Sequence, residues 1–363
     1  MADLQGALQA IPGRQAYYLS VPGTDAASAL SVVSFTATEK MGEPNVVHIE
    51  LTHPQQLPRT DFLNRDAVFS IVADDGTVRK FSGFIARFST VQTTQDFTKY
   101  EVVLKSHSGR LEAVTRNRIF QHATTPDILA EGLRTHGLRD HQFLFRLRRQ
   151  YPQHAFRMQY GMTDAAYAHM LQEKAGIYSY ILETEYGDEK VYGDDIDHYI
   201  YDPQLVVPYR EAAGLEARGI EAITSLKTHT KIVPQSFMVA DYNPDAAWER
   251  LRDEANVAPQ DETTYGQVDV FGTHHLDQAG AGWEAQLRHE AAIARQVVFE
   301  GESNVLALQC ARVLEMDEVL PDAPKGMVII DITRSGARDK PYSNSFRAIP
   351  ADRRFRLELE PEK

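Results

Sequence analysis

Residues Phe156–Leu182 read FRMQYGMTDAAYAHMLQEKAGIYSYIL: a strand, a capped helix, a glycine stop and a second strand in one run. Phe156–Tyr160 is short and rich in aromatic side chains, as strands are. Thr163 is placed to cap a helix, and Asp164 behind it sets negative charge at the positive end of the helix dipole. Tyr167, Met170 and Leu171 recur at i, i+3 and i+4, which gives the helix one apolar stripe. Lys174 falls in the last turn, and Gly176 supplies the left-handed residue that ends it. Ile177–Leu182 resumes as a strand. These are packing signals, and none of them asks for chemistry.

Outward from this stretch the chain changes character. Residues 14–110 are dominated by strands: Val46–Leu51, Ala67–Ala73, and the longer Lys80–Val91 and Thr98–His107, joined by a hairpin loop at Gln92–Asp96. Many strands with almost no helix predict an antiparallel barrel or sandwich. Residues 111–200 mix helix and strand. Pro126–His136 reads as a helix with Thr125 as N-cap and Pro126 at N1, stopped by Gly137. A hairpin turn falls at Tyr186–Gly187–Asp188. A second all-β stretch begins near Leu215, with strands at Ala222–Ile232 and Gln235–Tyr242 joined at Val233–Pro234. Residues 243–296 interrupt it: a turn and short helix from Asn243–Pro244, a strand-like Gly266–Phe271, and a helix over Gly282–Gln296. Strands return at Asn304–Val313, Met327–Thr333 and Phe346–Ile349.

Composition narrows the partners. The chain has 363 residues, enough for two or three domains. Its 43% hydrophobic and 25% charged residues are ordinary globular values. A formal net charge of -13 argues against nucleic acid, which needs clustered Lys and Arg. Arg146, Arg148 and Arg149 read as a solvated strand end. The single cysteine, Cys310, sits in an apolar run, so no disulfide forms within the chain, and the usage suits a reducing compartment. The first residues lack the basic and apolar regions of a secretory signal.

Candidate chemistry is weak throughout. His289–Glu290 begins an H-E-x-x-H motif, but Ile293 stands where the second His is required, so the pair reads as a solvated helix face. His274–His275 beside Asp277 are adjacent and point apart, a poor chelate. Glu189, Asp194, Asp195 and Asp197 lack the spacing of a calcium loop. No G-x-S-x-G elbow, P-loop or dinucleotide fingerprint occurs. The expectation is therefore no catalytic, cofactor-binding or metal-binding residue, no cofactor and no enzyme activity.

Three blocks carry a family resemblance. In the opening stretch, Gln159, Tyr160, Thr163, Asp164, Tyr167, Leu171, Gly176, Ile177 and Tyr180 fall on the pattern Q-Y-x-E-[ST]-D-x-x-[FY]-x-x-R-L-x-E-x-x-G-I-x-Y. Upstream, Arg118–Gln121 with Thr125–Leu129 resembles R-I-F-Q followed by S-x-x-D-I-I. Near the end, Tyr342, Asn344, Phe346, Ala348, Ile349, Pro350, Asp352, Phe355 and Arg356 resemble Y-x-N-x-F-x-A-I-P-x-D-x-x-[FY]-R. Together they resemble VgrG, the spike protein of type VI secretion. Two positions depart: Met162 stands where the family has Glu, and Met170 where it has Arg. Exchanging a buried ion pair for two apolar side chains can be neutral or stabilising.

The resemblance implies a β-rich α+β fold with two antiparallel barrel-like domains, a mixed α/β domain between them and a small insertion. On this chain the layout is a first barrel at 1–112 and the mixed domain at 113–205. A discontinuous second barrel follows at 206–242 and 297–350, with the insertion at 243–296. A stub at 351–363 leads toward a needle region. It further implies a homotrimer whose six barrels form a ring on a hexameric Hcp-type tube, with baseplate proteins and effectors as further partners. Such a protein is assembled in the cytoplasm and exported without a signal peptide. It meets a target membrane only by mechanical penetration. The hub of a contractile phage tail shares the fold and is the alternative; a glycan-hydrolysing enzyme would need a convergent acid pair in a cleft.

Overall fold

A computed structural model of the chain describes residues 16–73, 75–210, 220–244, 247–248, 251–275 and 277–359. The fold is β-rich with few helices, an α+β arrangement. The early strands are β1 (Ala16–Ser20), β2 (Ser31–Lys40), β3 (Val46–His53), β4 (Asp66–Val72), β5 (Val78–Thr93) and β6 (Thr98–Lys105). The late ones are β13 (Ile223–Thr230), β17 (Val297–Ser303), β19 (Met327–Ala337) and β20 (Lys340–Pro350). All ten lie along one curled antiparallel sheet in the order β1-β4-β5-β6-β3-β2-β19-β20-β17-β13. Two short strands attach at its side: β18 (Val313–Met316) pairs with β19, and β12 (Val206–Val207) pairs with β18. Register shifts in β2 at Val32/Ser34 and in β5 at Ile85/Arg87 and Thr90/Gln92 supply the local bends that let the sheet curl.

Apolar residues divide into three cores. Phe35, Ile49, Phe69 and Tyr100 belong to a core within the early strands. Phe299, Ile332, Phe346 and Ile349 belong to one within the late strands. The third lies between the helices α1 (Thr125–Thr135) and α2 (Asp164–Ala175) and includes Leu133, Tyr167 and Leu171. Met162 and Met170 pack at the edge of that third core, where two apolar side chains suit the surroundings.

The opening stretch folds as read. β9 (Arg157–Thr163) pairs with β7 (Thr115–Phe120), and the Thr163 hydroxyl accepts from the Ala166 amide as N-cap of α2. Gly176 ends the helix at φ 70°, and β10 (Tyr178–Thr184) forms a hairpin with β11 (Gly187–Gly193). The hairpin closes one residue earlier than expected, at Glu185–Tyr186, because Thr184 pairs with Gly187. β8 (Phe143–Arg146) joins β11 in parallel.

Other boundaries differ for physical reasons. The cap of α1 is Thr124, not Thr125: its hydroxyl accepts from the Asp127 amide, and the Asp127 carboxylate accepts from the Thr124 amide. Helix α3 (Gln278–Ala294) starts before Gly282 because Asp277 caps it. The strand expected over Asn304–Val313 does not form; only its last residue, Val313, enters a strand, as the start of β18. The apolar positions Val305, Leu306, Leu308 and Cys310 are buried all the same. The Leu306 and Leu308 carbonyls accept from a buried arginine instead of a ladder. β14 (Ser236–Asp241) does not join β13; it is the centre of a small sheet with β15 (Leu251–Ala255) and β16 (Gln267–Phe271), against which α3 packs. Ala351, Phe355 and Leu357, expected in a stub, are buried in the late-strand core. Residues 1–15, the expected start near Leu215 and part of the short helix after Pro244 lie outside the described residues.

Candidate functional site

Side-chain chemistry concentrates where the three cores meet. At the seam between early and late strands, β2 pairs with β19 from Lys40↔Asp331 to Ser34↔Ala337. Alternation along β2 turns Phe35, Ala37 and Glu39 inward, and along β19 it turns in Ile332 and Arg334. Glu39 and Arg334 are both fully buried there. The Arg334 Nε and Nη2 donate to Glu39 Oε1 at 2.9 and 2.7 Å, and Nη1 donates to the Tyr342 hydroxyl at 2.7 Å. Arg79 from β5 donates to Glu39 Oε2 at 2.9 Å and also reaches Gln309. Burial raises the Glu39 carboxyl, but Arg79 and Arg334 outweigh it and hold the group below its ordinary value. Arg334 is raised in turn: burial opposes its charge, and Glu39 more than restores it.

A second joint gathers four parts of the chain. Arg356 donates from Nε to Glu290 Oε2 on α3 at 2.8 Å, and from Nη1 to the carbonyls of Gly176 and Asp194. Arg354 bridges Glu290 at 3.2 Å and Asp195 at 3.3 Å. Arg149 stacks on the Trp283 ring with its guanidinium carbon 3.4 Å from the centroid. Asp194 accepts from the Arg148 and Arg149 amides and from the Tyr151 hydroxyl. The C-terminal segment, the small sheet's helix, the end of α2 and the end of β11 are thereby tied at one point.

A third joint sets the β10–β11 hairpin against the early strands. His107 lies between Asp188 (2.5 Å) and Asp66 (3.1 Å). Glu183 accepts from the Ser82 amide at 2.6 Å and hydroxyl at 2.8 Å. Burial pushes the Glu183 carboxyl up to about 7, against the pull of the Ser82 donors. Burial lowers His107, yet its two carboxylates win and raise it.

These joints are made to hold elements together, and their chemistry is spent internally. Against that geometry, the sequence family described as phage tail baseplate hub (GPD) matches residues 38–339. The chain belongs to this hub family. The hub is 24% identical over 321 residues to the "Actin cross-linking toxin VgrG1" of Vibrio cholerae, covering 84% of the hub and 29% of that protein. It is 26% identical to the "Type VI secretion system spike protein VgrG1b" of Pseudomonas aeruginosa, covering 74% of the hub and 36% of that protein. The hub therefore spans about a third of the length of these relatives. Its fold matches that of the E. coli c3393 protein, with a TM-score of 0.72 and 22% identity, over 94% of the hub and 79% of that chain. That protein is described as a component of the type VI secretion system with structural similarity to the T4 tail proteins gp27 and gp5.

The hub's structure also places the residues weighed from sequence. His289 and Glu290 are not a solvated face; both are buried. His289 lies 3.0 Å from the Pro234 carbonyl and accepts from the Val257 amide, while Glu290 belongs to the second joint. The small sheet packed on α3 is what excludes water from this face. Arg149 is likewise no solvated strand end, because Trp283 covers it; Arg148 is exposed. His275 is half-buried beside Thr273 and Asp241, and Asp194 and Asp195 are engaged by the arginines and amides named above. Among the described residues no group of three or more His, Cys, Asp or Glu could hold a metal. No described helix is long and apolar enough to cross a membrane.

The resemblance blocks meet in space. Arg118 of the first and Gln159 of the second both donate to Asp164, at 2.7 and 2.8 Å, with His136 at 2.6 Å. Arg356 of the third donates to the Gly176 carbonyl of the second. Glu39, Arg79 and Arg334 were missed by sequence reading. The available signal was a charge on the inward phase of each strand.

Proposed function

We propose that this hub is the base of a type VI secretion spike. Its early and late strands form two barrel-like units, and three copies set six such units in a ring. A duplicated unit lets a trimer present six similar surfaces to a hexamer, so the ring would cap an Hcp-type tube. Sheath contraction supplies the energy, and the base transmits thrust; the buried joints resist separation of the cores under that load. The hub would assemble in the cytoplasm with baseplate proteins and effectors. It would be driven outward by that contraction and reach a target membrane only by mechanical penetration. No catalytic step is assigned to it.

The observation that carries this reading is the family match across residues 38–339, supported by relatives named as type VI spike proteins. The test is deletion of the gene in its own bacterium, with the Hcp-type tube protein assayed in the medium. Loss of tube export, restored by the intact gene, is expected. Unchanged export, with the protein found instead in sedimented phage-like particles, would replace this function with the phage-tail alternative.

A further inference from the structure

The small sheet ends in a bare edge. β16 pairs with β14 alone, and β15 takes the other side of β14. The Gly266 carbonyl accepts from the Gln235 and Ser236 amides, and the Gly272 amide donates to the Ala240 carbonyl. Main-chain groups alternate in direction along a strand, so the even-numbered groups of β16 face β14. The amides and carbonyls of Gln267, Asp269 and Phe271 therefore point away from the sheet, and none has a main-chain partner among the described residues. Exposed edges are usually blunted by charge or proline, as β15 is by Arg252, Asp253 and Glu254. β16 has no proline and one charge, Asp269.

The two faces of this edge differ. Val268 and Val270 are in register with Phe237 and Val239, and the Phe237 ring lies against His289 of α3. The two valines thus stand on the α3 side, yet they stay half-buried, because α3 packs on β14 and β15. Asp269 and Phe271 stand on the opposite face and are exposed, Phe271 by 75%. None of the described cations pairs with Asp269; Arg252, on the same face, turns to Met238 instead. Residues 243–296 as a whole hold ten Asp and Glu against four Arg and no Lys, within a chain of net charge -13. We propose that the β16 edge binds an extended segment of another protein in which basic residues alternate with apolar ones. Its main chain would pair with Gln267, Asp269 and Phe271, the known way to add a strand to a sheet. Its apolar side chains would cover Val268 and Val270, and its cations would face Asp269 beside the Phe271 ring. A second copy fits poorly: two β16 edges paired antiparallel about their centres would set Asp269 opposite Asp269, where like charges destabilise. Nothing in the edge depends on which contractile particle carries the hub.

The test is fluorescence anisotropy of the full chain with a short labelled peptide that alternates lysine and valine. A glutamate–valine peptide of the same length is the counter-probe. The lysine peptide should bind, and rising salt should weaken it. Its binding should slow amide exchange at Gln267, Asp269 and Phe271, the residues whose amides face outward. Asp269→Asn should weaken binding about threefold, the loss expected of one exposed ion pair. Asp269→Pro also removes an edge-facing amide without touching the bonds to β14, and should weaken binding about tenfold or more. An unchanged melting temperature confirms that each variant keeps the fold; if proline lowers it, Asp269→Asn and the exchange pattern decide. No binding, equal binding of the glutamate peptide, no slowing of exchange in β16, or wild-type binding by the folded variants overturns the proposal. So does a drop in the chain's own mass in Asp269→Pro, measured by light scattering, because the edge would then be covered by a second copy.

Discussion

Removing the Arg334 guanidinium is the sharpest perturbation of the seam. Arg334→Met leaves Glu39 fully buried with Arg79 as its remaining cation. It also strips donors from the Tyr342 hydroxyl and from the carbonyls of Leu306 and Leu308. Breaking a buried pair by deleting one partner costs about 3–5 kcal/mol. At about 2 °C per kcal/mol for a chain of this size, the melting temperature should fall by about 6–10 °C. Arg334→Lys keeps the charge but not the planar fork that serves several acceptors, so its cost should be about half. Glu39→Gln alone should also destabilise, yet the double variant should cost about 2 kcal/mol less than the two singles summed. Urea unfolding of the four proteins measures this cycle. Strict additivity, or a loss below about 1 kcal/mol for Arg334→Met, would refute the reasoning that Glu39 and Arg334 act as one unit.

The remaining predictions concern the other joints. Glu183 is raised in the folded state, so its contribution falls as pH climbs from its unfolded value toward about 7; His107 is also raised, and its contribution is lost above its folded value. Amide exchange in β10 and β11, corrected for intrinsic rates, should therefore speed up between pH 6 and pH 8, and Glu183→Gln should flatten the trend while adding about 2 kcal/mol at pH 8. The seam shows the opposite sign: Glu39 is lowered, so its stabilisation is present above its unfolded value and is lost as pH falls toward acid. Gly176→Ala should cost about 2–4 kcal/mol in thermal melts, since φ is 70° and the new Cβ would lie 2.9 Å from both Leu287 and Trp283. Glu290→Ala, which strands the buried Arg356, should cost about 3 kcal/mol, whereas Asp197→Asn, in an exposed pair with Arg148, should stay within about 0.5 kcal/mol.

Local signals were legible where one residue type had one physical use. Thr163 capped, Gly176 stopped and the Tyr167–Leu171 stripe packed as read, because capping, left-handed backbone and amphipathic spacing act over a few residues. Thr124 and Thr125 are adjacent candidate caps, and the reciprocal bond to Asp127 decides between them. The joints were hidden for a different reason. Glu39 and Arg334 are far apart in sequence, and Arg334 lies next to the Met327–Thr333 strand rather than in any charge motif. His289 looked solvated because its own helix could not reveal the small sheet that covers it. Pairing of β14 with β15 and β16 rather than with β13 is a choice among edges, and alternation along one strand does not encode it.

The central claim is that the hub works as a trimeric base. The most direct test is the mass, by light scattering across a concentration series, of the chain expressed within the full reading frame that contains it. The account predicts three copies per particle, with at least 40.9 kDa in each. A particle holding one copy at every concentration would contradict it.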